Sequence, residues 1–254
     1  MPKEVFDDII SLGYKCETAC SIEAMFGHAD SCLFNWVNIV DINNFIKFLN
    51  NFDLLLSEGL SFLPAIGMYQ DNALSFRYHS KIKKKSTVNL PEDFIKKNND
   101  EVTSRMTYLK NKFINKIKSG KKILFVMCFR SEIELDKIND ILSQISTRID
   151  KIVENKNSKI AVIFEKDYIK DLKLNNFKNI IYYKVGHFSP DDAAFDIDID
   201  FWRELYSSYV FKFCENPDYD KNIKKYIKNR IEKAKEPRAF FRKIAYRFSK
   251  LFKH

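Results

Sequence analysis

The sequence predicts an α/β protein: an open, mostly parallel sheet flanked by helices in three layers, with a basic amphipathic helical tail. Three observations carry that expectation. The runs "KKILFVMCFR", "KIAVIFEK" and "NIIYYKVGHF" are almost continuously apolar, as strands buried on both faces must be. Segments with apolar residues at helical period alternate with them, and strand, helix, strand, helix, strand is the βαβ pattern. With 254 residues, 45% of them hydrophobic and 15% aromatic, the chain can bury a substantial core.

Taken in order, "VFDDIISLGY" reads as a buried strand that ends in a Gly turn, and "ETACSIEAMF" follows as a helix. "DINNFIKFLNNF" is a second helix, and "ALSFRYH" is a short alternating strand. Pro91 to Lys118 reads as a long helix with Pro in its first turn, where the missing N–H costs nothing. After the strand "KKILFVMCFR", Ser131 with Glu134 three residues on forms a capping pair for the next helix. A short helix in "DYIKDLKL" separates the last two central strands, and "FWRELYSSYVF" is a helix for which Asp200 is the expected N-cap. No internal repeat or low-complexity segment interrupts the body, so the expected division is 1–216 as an α/β domain and 217–254 as the tail.

Charge separates those two parts. Residues 221–254 hold thirteen Lys or Arg against Glu232 and Glu236, a balance of +11 that leaves residues 1–220 at −2 within a total of +9. A nearly neutral body disfavours nucleic acid as the partner. In the tail, beyond the break at Pro237, Phe240, Phe241, Phe248 and Phe252 recur at helical spacing beside Arg242 and Lys243. A Phe face opposite a basic face predicts a segment lying in an anionic membrane interface. The alternatives are a terminal helix docked on the body, or binding to an acidic partner such as RNA. No export signal and no apolar stretch of membrane-spanning length is present, so the expected location is the cytoplasm, peripheral on the inner face of the cell membrane. The five cysteines, 16, 20, 32, 128 and 214, are then expected as reduced thiols.

In open α/β sheets, ligands gather beyond the carboxyl ends of the strands. Those ends carry Gly13 to Cys16, Arg130 with Ser131, Glu165 with Lys166, and Gly186 with His187. A cysteine at a helix start meets unpaired N–H groups and the positive end of the helix dipole, which favour its thiolate. It needs a base, and the histidines are His28, His79, His187 and His254. The bland reading of Cys16 is a small packed residue; Cys20, one turn on, and Cys128, inside a strand, read as core. A second constellation is "FDIDIDFW", where Asp196, Asp198 and Asp200 at period two would aim three carboxylates to one side and offer a weak divalent-cation site. GxGxxG, GxxxxGK[ST], GxSxG and HExxH are all absent, so no cofactor is implied.

"ISLGYKCETA", residues 10–19, followed by "SCLFNW", residues 31–36, resembles a bacterial family labelled papain-like cysteine peptidases, whose members carry I-S-L-G-x-x-C-x-x-A and then S-x-P-F-D-W. "FRYH", ending at His79, and "ILFVMCFR", ending at Arg130, are similar to its later segments, so the resemblance spans roughly residues 8–190. It implies a Cys16 nucleophile with His79 as partner; Trp36 matches the motif, as a loop anchor or a substrate contact, and Arg130, at a strand end, is the other residue expected on the substrate side. The family's members often lie among genes for surface-polysaccharide assembly. Two positions depart from the motif: Leu33 replaces Pro and Asn35 replaces Asp. An Asn can still orient an imidazole through its carbonyl. The strand-end argument selects His187 instead. The chemistry implied is acyl transfer on a peptide, glycan or other acyl substrate, hydrolytic or not. A metal-dependent glycan transferase using the three Asp residues, or a non-catalytic membrane scaffold, are the competing expectations.

Overall fold

The computed structural model describes residues 2–13, 16–27, 30–79, 92–129, 133–170, 172–189 and 196–234, without the side chains of Trp36 and of residues 231–234. The expected roles of Arg130 and of the tail residues Phe240, Phe241, Arg242, Lys243, Phe248 and Phe252 lie outside the described residues, as do His28 and His254.

An α/β architecture is present. β2 (Asp8–Ser11), β7 (Ile123–Phe129), β8 (Lys159–Glu165) and β9 (Ile180–Val185) form a four-stranded sheet in that order, and every pairing in it is parallel. Alternation along β7 explains why its sequence is apolar throughout. Ile123, Phe125, Met127 and Phe129 join one buried cluster with residues of α2 (Ile42–Asn50), α3 (Glu92–Ile117) and α4 (Ile138–Ile152). Leu124, Val126 and Cys128 join another with α1 (Glu17–Phe26), α5 (Ile199–Ser207) and α6 (Tyr219–Ala234). Both faces of the sheet are therefore covered, and a polar residue on either would be buried without water.

The single expected first strand is two strands. β1 (Glu4–Phe6) leaves the sheet to pair in parallel with β10 (Tyr209–Phe211), far along the chain. Asp7 marks the break: its carboxylate accepts from the Lys122 N–H at 2.8 Å and pairs with Lys212 at 2.7 Å.

An antiparallel sheet that the sequence did not disclose lies beside the parallel one, in the order β3 (Val37–Asn38), β6 (Arg77–His79), β5 (Met68–Asp71), β4 (Leu60–Leu63). β6 was expected within "ALSFRYH"; the others are two to four residues long, too short for a periodicity to stand out. Two further expectations change. The helix expected in "DYIKDLKL" is a turn over 166–170, where the Tyr168 N–H bonds back to Glu165 and its hydroxyl reaches the Ile133 carbonyl. α5 is capped by Asp198, whose side chain accepts from the Phe201 N–H at 3.1 Å, and Asp200 sits inside the first turn.

Part of the segment assigned to the tail is packed structure. α6 lies on α1, burying Ile223 and Tyr226, and Asn222 donates to the Met25 carbonyl at 2.8 Å. Among the described residues no helix is long and apolar enough to cross a membrane.

Candidate active site

Cys16 sits at the end of the loop from β2 and starts α1: the Cys20 N–H bonds to its carbonyl at 2.9 Å, the first turn of the helix. The loop is placed by Gly13, which has φ +78°, a left-handed conformation that favours glycine. A Cβ there would stand 3.2 Å from Phe34 Cβ and 3.3 Å from the Phe34 carbonyl oxygen. The missing side chain thus lets the turn Leu33–Trp36 press against the loop that leads to Cys16. Phe34 is fully buried and packs edge-on against Phe45, Phe48 and Phe113 at centroid distances of 5.2, 5.4 and 5.5 Å. Such pairs add about 0.5–1.5 kcal/mol each beyond the area they bury.

That turn runs directly into β3, which pairs with β6 in the register Val37 to Tyr78. His79 is the last residue of β6, so the clamped turn carries the histidine to the cysteine. Cys16 Sγ lies 3.8 Å from His79 Nε2, within hydrogen-bond reach for sulfur. The next residue, Glu17, is fully buried, and its Oε2 accepts from the Ser189 N–H at 3.0 Å, tying the start of α1 to the loop after β9. Below the loop, Ser11 Oγ accepts from the Gly13 N–H at 3.1 Å and shares a 2.5 Å hydrogen bond with Thr18.

The electrostatics differ from those a helix start alone predicts. Cys16 is half-buried, and burial pushes its thiol above the ordinary value; only the Arg230 guanidinium from α6 pulls the other way. His79 is exposed as a whole residue, yet neighbours crowd its ring: burial lowers its pKa, and the charge of Arg105 on α3 pushes in the same direction. Both directions favour the uncharged forms. The resting pair at neutral pH is a thiol beside a neutral imidazole, which calls for general-base activation of Cys16 in place of a standing thiolate.

The other expected residues fall elsewhere. His187 is exposed on the loop after β9, on the strand farthest from β2 in the sheet, and the ring bonded to Cys16 is that of His79. Asn35 does not hold the imidazole: it is 2% exposed, and its Oδ1 has no hydrogen-bond partner among the described residues. Trp36 lies in the turn before β3, with its side chain undescribed. Asp196 and Asp200 are exposed while Asp198 caps α5, and among the described residues no group of three or more His, Cys, Asp or Glu is arranged to hold a metal. All five cysteines are free thiols, with Cys20, Cys32 and Cys128 buried. Glu17, Arg105 and Arg230 carried no signal in the sequence beyond, for Glu17, its place next to Cys16.

A cavity of about 730 Å³ opens between β2, α1 and α3. Ser11 and Asn35 line it with Ile22, Tyr108, Lys112 and Lys116. Lys116 is neutralised there by Asp8 at 2.5 Å and Asp30 at 2.9 Å. Comparison with family models, with curated proteins and with solved structures returns no match to this chain.

Proposed function

We propose that the protein is a cysteine-dependent acyl-transfer enzyme, a papain-like hydrolase or an acyltransferase, with Cys16 as nucleophile and His79 as general base. One observation carries this reading: the 3.8 Å approach of Cys16 Sγ to His79 Nε2 at the carboxyl edge of a parallel sheet. The His79 tautomer with its proton on Nδ1 leaves Nε2 free to accept. As Sγ attacks the acyl carbonyl carbon, the thiol proton passes to Nε2 and the carbonyl electron pair becomes an oxyanion. N–H groups in the first turn of α1 have no helical carbonyl to bond and face the positive end of the dipole, which suits them to receive that charge. Collapse expels the leaving group with the proton from His79 and leaves a thioester on Cys16. Water or an acceptor, deprotonated by the same imidazole, then resolves the thioester.

The substrate is an acyl compound of peptide, glycan or lipid-linked type; the 730 Å³ cavity is lined by neither Cys16 nor His79 and is not assigned to it. The Phe and Lys/Arg pattern of 237–254 supports work at the cytoplasmic face of an anionic membrane, in surface-polysaccharide or glycolipid assembly. The test uses p-nitrophenyl acetate: a burst of nitrophenol with one acetyl group on Cys16 by mass spectrometry is expected, absent in Cys16→Ser. A burst that survives Cys16→Ser overturns the reading. For the membrane role, deletion of 237–254 is expected to abolish co-flotation with phosphatidylserine vesicles, and retention by the truncated protein refutes it.

A further inference from the structure

We infer that Arg230, carried by α6 from the far end of the chain, is a positioning residue for the Cys16 thiolate: a fixed cation held over the first turns of α1. The inference rests on the reading of Cys16 as nucleophile. Arg230 Nη2 donates to Glu23 Oε2 at 2.9 Å and approaches Cys20 Sγ at 3.9 Å, while its guanidinium stacks 5.0 Å from the centre of the Tyr226 ring. Cys20 follows Cys16 by one helical turn, so both thiols project from the same face of α1. The Arg230 side chain is only 21% exposed, and α6 beneath it is anchored by buried Ile223 and Tyr226 and by the Asn222 bond to α1. The cation is thus a built part of the site, unlike a lysine swinging in solvent.

Its job follows from the half-buried thiol. Moving the Sγ proton to His79 Nε2 creates a sulfur anion where burial opposes one, and a guanidinium one turn away offsets part of that cost. Arg230 itself gives up no proton; it remains a cation through every step. Among the described residues, His79 from β6 and Arg230 from α6 act on Cys16 directly; Arg105 from α3 acts on His79, Glu23 and Tyr226 lie by Cys20, and Glu17 is the next residue of α1. Glu17 is turned to Ser189 and Glu23 to Arg230, so the two arginines set the balance. Arg105 discourages a proton on His79 and Arg230 discourages one on Cys16. Arg105 thus keeps the resting imidazole free to accept, and Arg230 eases the departure of the proton from Sγ.

The experiment is the pH profile of iodoacetamide alkylation at Cys16, followed by mass spectrometry on the full chain, with melting curves recorded for each variant. Arg230→Met is expected to move the profile to higher pH by about one unit, which slows alkylation about tenfold below the midpoint. Arg230→Lys, which keeps the charge, is expected to recover most of the rate. Glu23→Gln, which removes the counter-charge and keeps the shape, is expected to move the profile to lower pH. A folded Arg230→Met with the wild-type profile overturns the inference, as does an Arg230→Lys that behaves like Arg230→Met. If Arg230→Met melts early, Glu23→Gln decides alone: an unchanged profile overturns the inference. Alkylation needs no acyl turnover, so failure here is separate from failure of the nitrophenyl acetate burst.

Discussion

Replacing Gly13 with Ala tests how the site is built. The residue holds φ +78°, where an L side chain costs about 1–2 kcal/mol. The added Cβ meets Phe34 Cβ at 3.2 Å, the Phe34 carbonyl oxygen at 3.3 Å and Ile39 Cδ1 at 3.4 Å. Crowding of that kind in a packed interior costs about 1–3 kcal/mol. Together the loss is about 2–5 kcal/mol, or a melting point lowered by about 4–20 °C for a chain of this size. Melting followed by circular dichroism reads it, and iodoacetamide alkylation should show Cys16 more accessible as its loop is pushed off the Leu33–Trp36 turn. Two of the three contacts are with the Cβ and backbone of Phe34, which Ala also has. Phe34→Ala, itself costing about 3–5 kcal/mol, therefore should not rescue Gly13→Ala. A Gly13→Ala protein melting within about 2 °C of wild type refutes the close-approach argument, and so does rescue by Phe34→Ala.

Four further outcomes are expected. Burial and Arg105 lower the His79 pKa from its ordinary 6.5, so the acid limb of the nitrophenol burst rate should centre below pH 6.5; a limb centred above that value contradicts a neutral general base. The same shift makes the unfolded chain bind that proton first, so the stability linked to His79 is intact above pH 6.5 and lost as pH falls below it, as acid titration of the melting point in wild type and His79→Gln would read. Asn35→Leu removes a buried acceptor without a partner among the described residues and should stabilise the fold by about 1–3 kcal/mol in urea unfolding; destabilisation would mean that Oδ1 is satisfied in solution. Asp198→Ala should cost about 1 kcal/mol through the lost α5 cap, with Asp200→Ala near neutral; equal costs would sink the cap assignment.

What could be read in advance was local. β7 is apolar along its whole length and β8 from Ile160 to Phe164 because both faces are covered there, and that leaves a mark within seven residues; β9, mostly half-buried, is apolar apart from Lys184. Cys16 at the start of α1 follows from a strand, a Gly turn and a helical period. The closeness of His79 to Cys16 is another matter: strand-end reasoning favoured His187, because it has no knowledge of strand order, and β9 lies three strands from β2. Only the motif resemblance pointed to His79: its strand was expected within "ALSFRYH", but the antiparallel sheet that sets it by Cys16 was not. Burial reversed the expected direction for the Cys16 thiol, since helix position is written in the sequence and depth is not. Arg105 and Arg230 were illegible for the same reason, each lying on a helix whose facing partner is set by packing.

The parallel pairing of β1 with β10, and the seat of α6 on α1, have a consequence in time. Cys20 and Arg230 are 210 positions apart. A ribosome adding about 5–20 residues per second needs about ten to forty seconds to travel between them. Throughout that interval the emerging chain carries its thiol without the guanidinium beside it, and β1 has no strand to join. The guanidinium that offsets the burial of Cys16 can therefore take its seat only late in synthesis, long after α1 itself has been made.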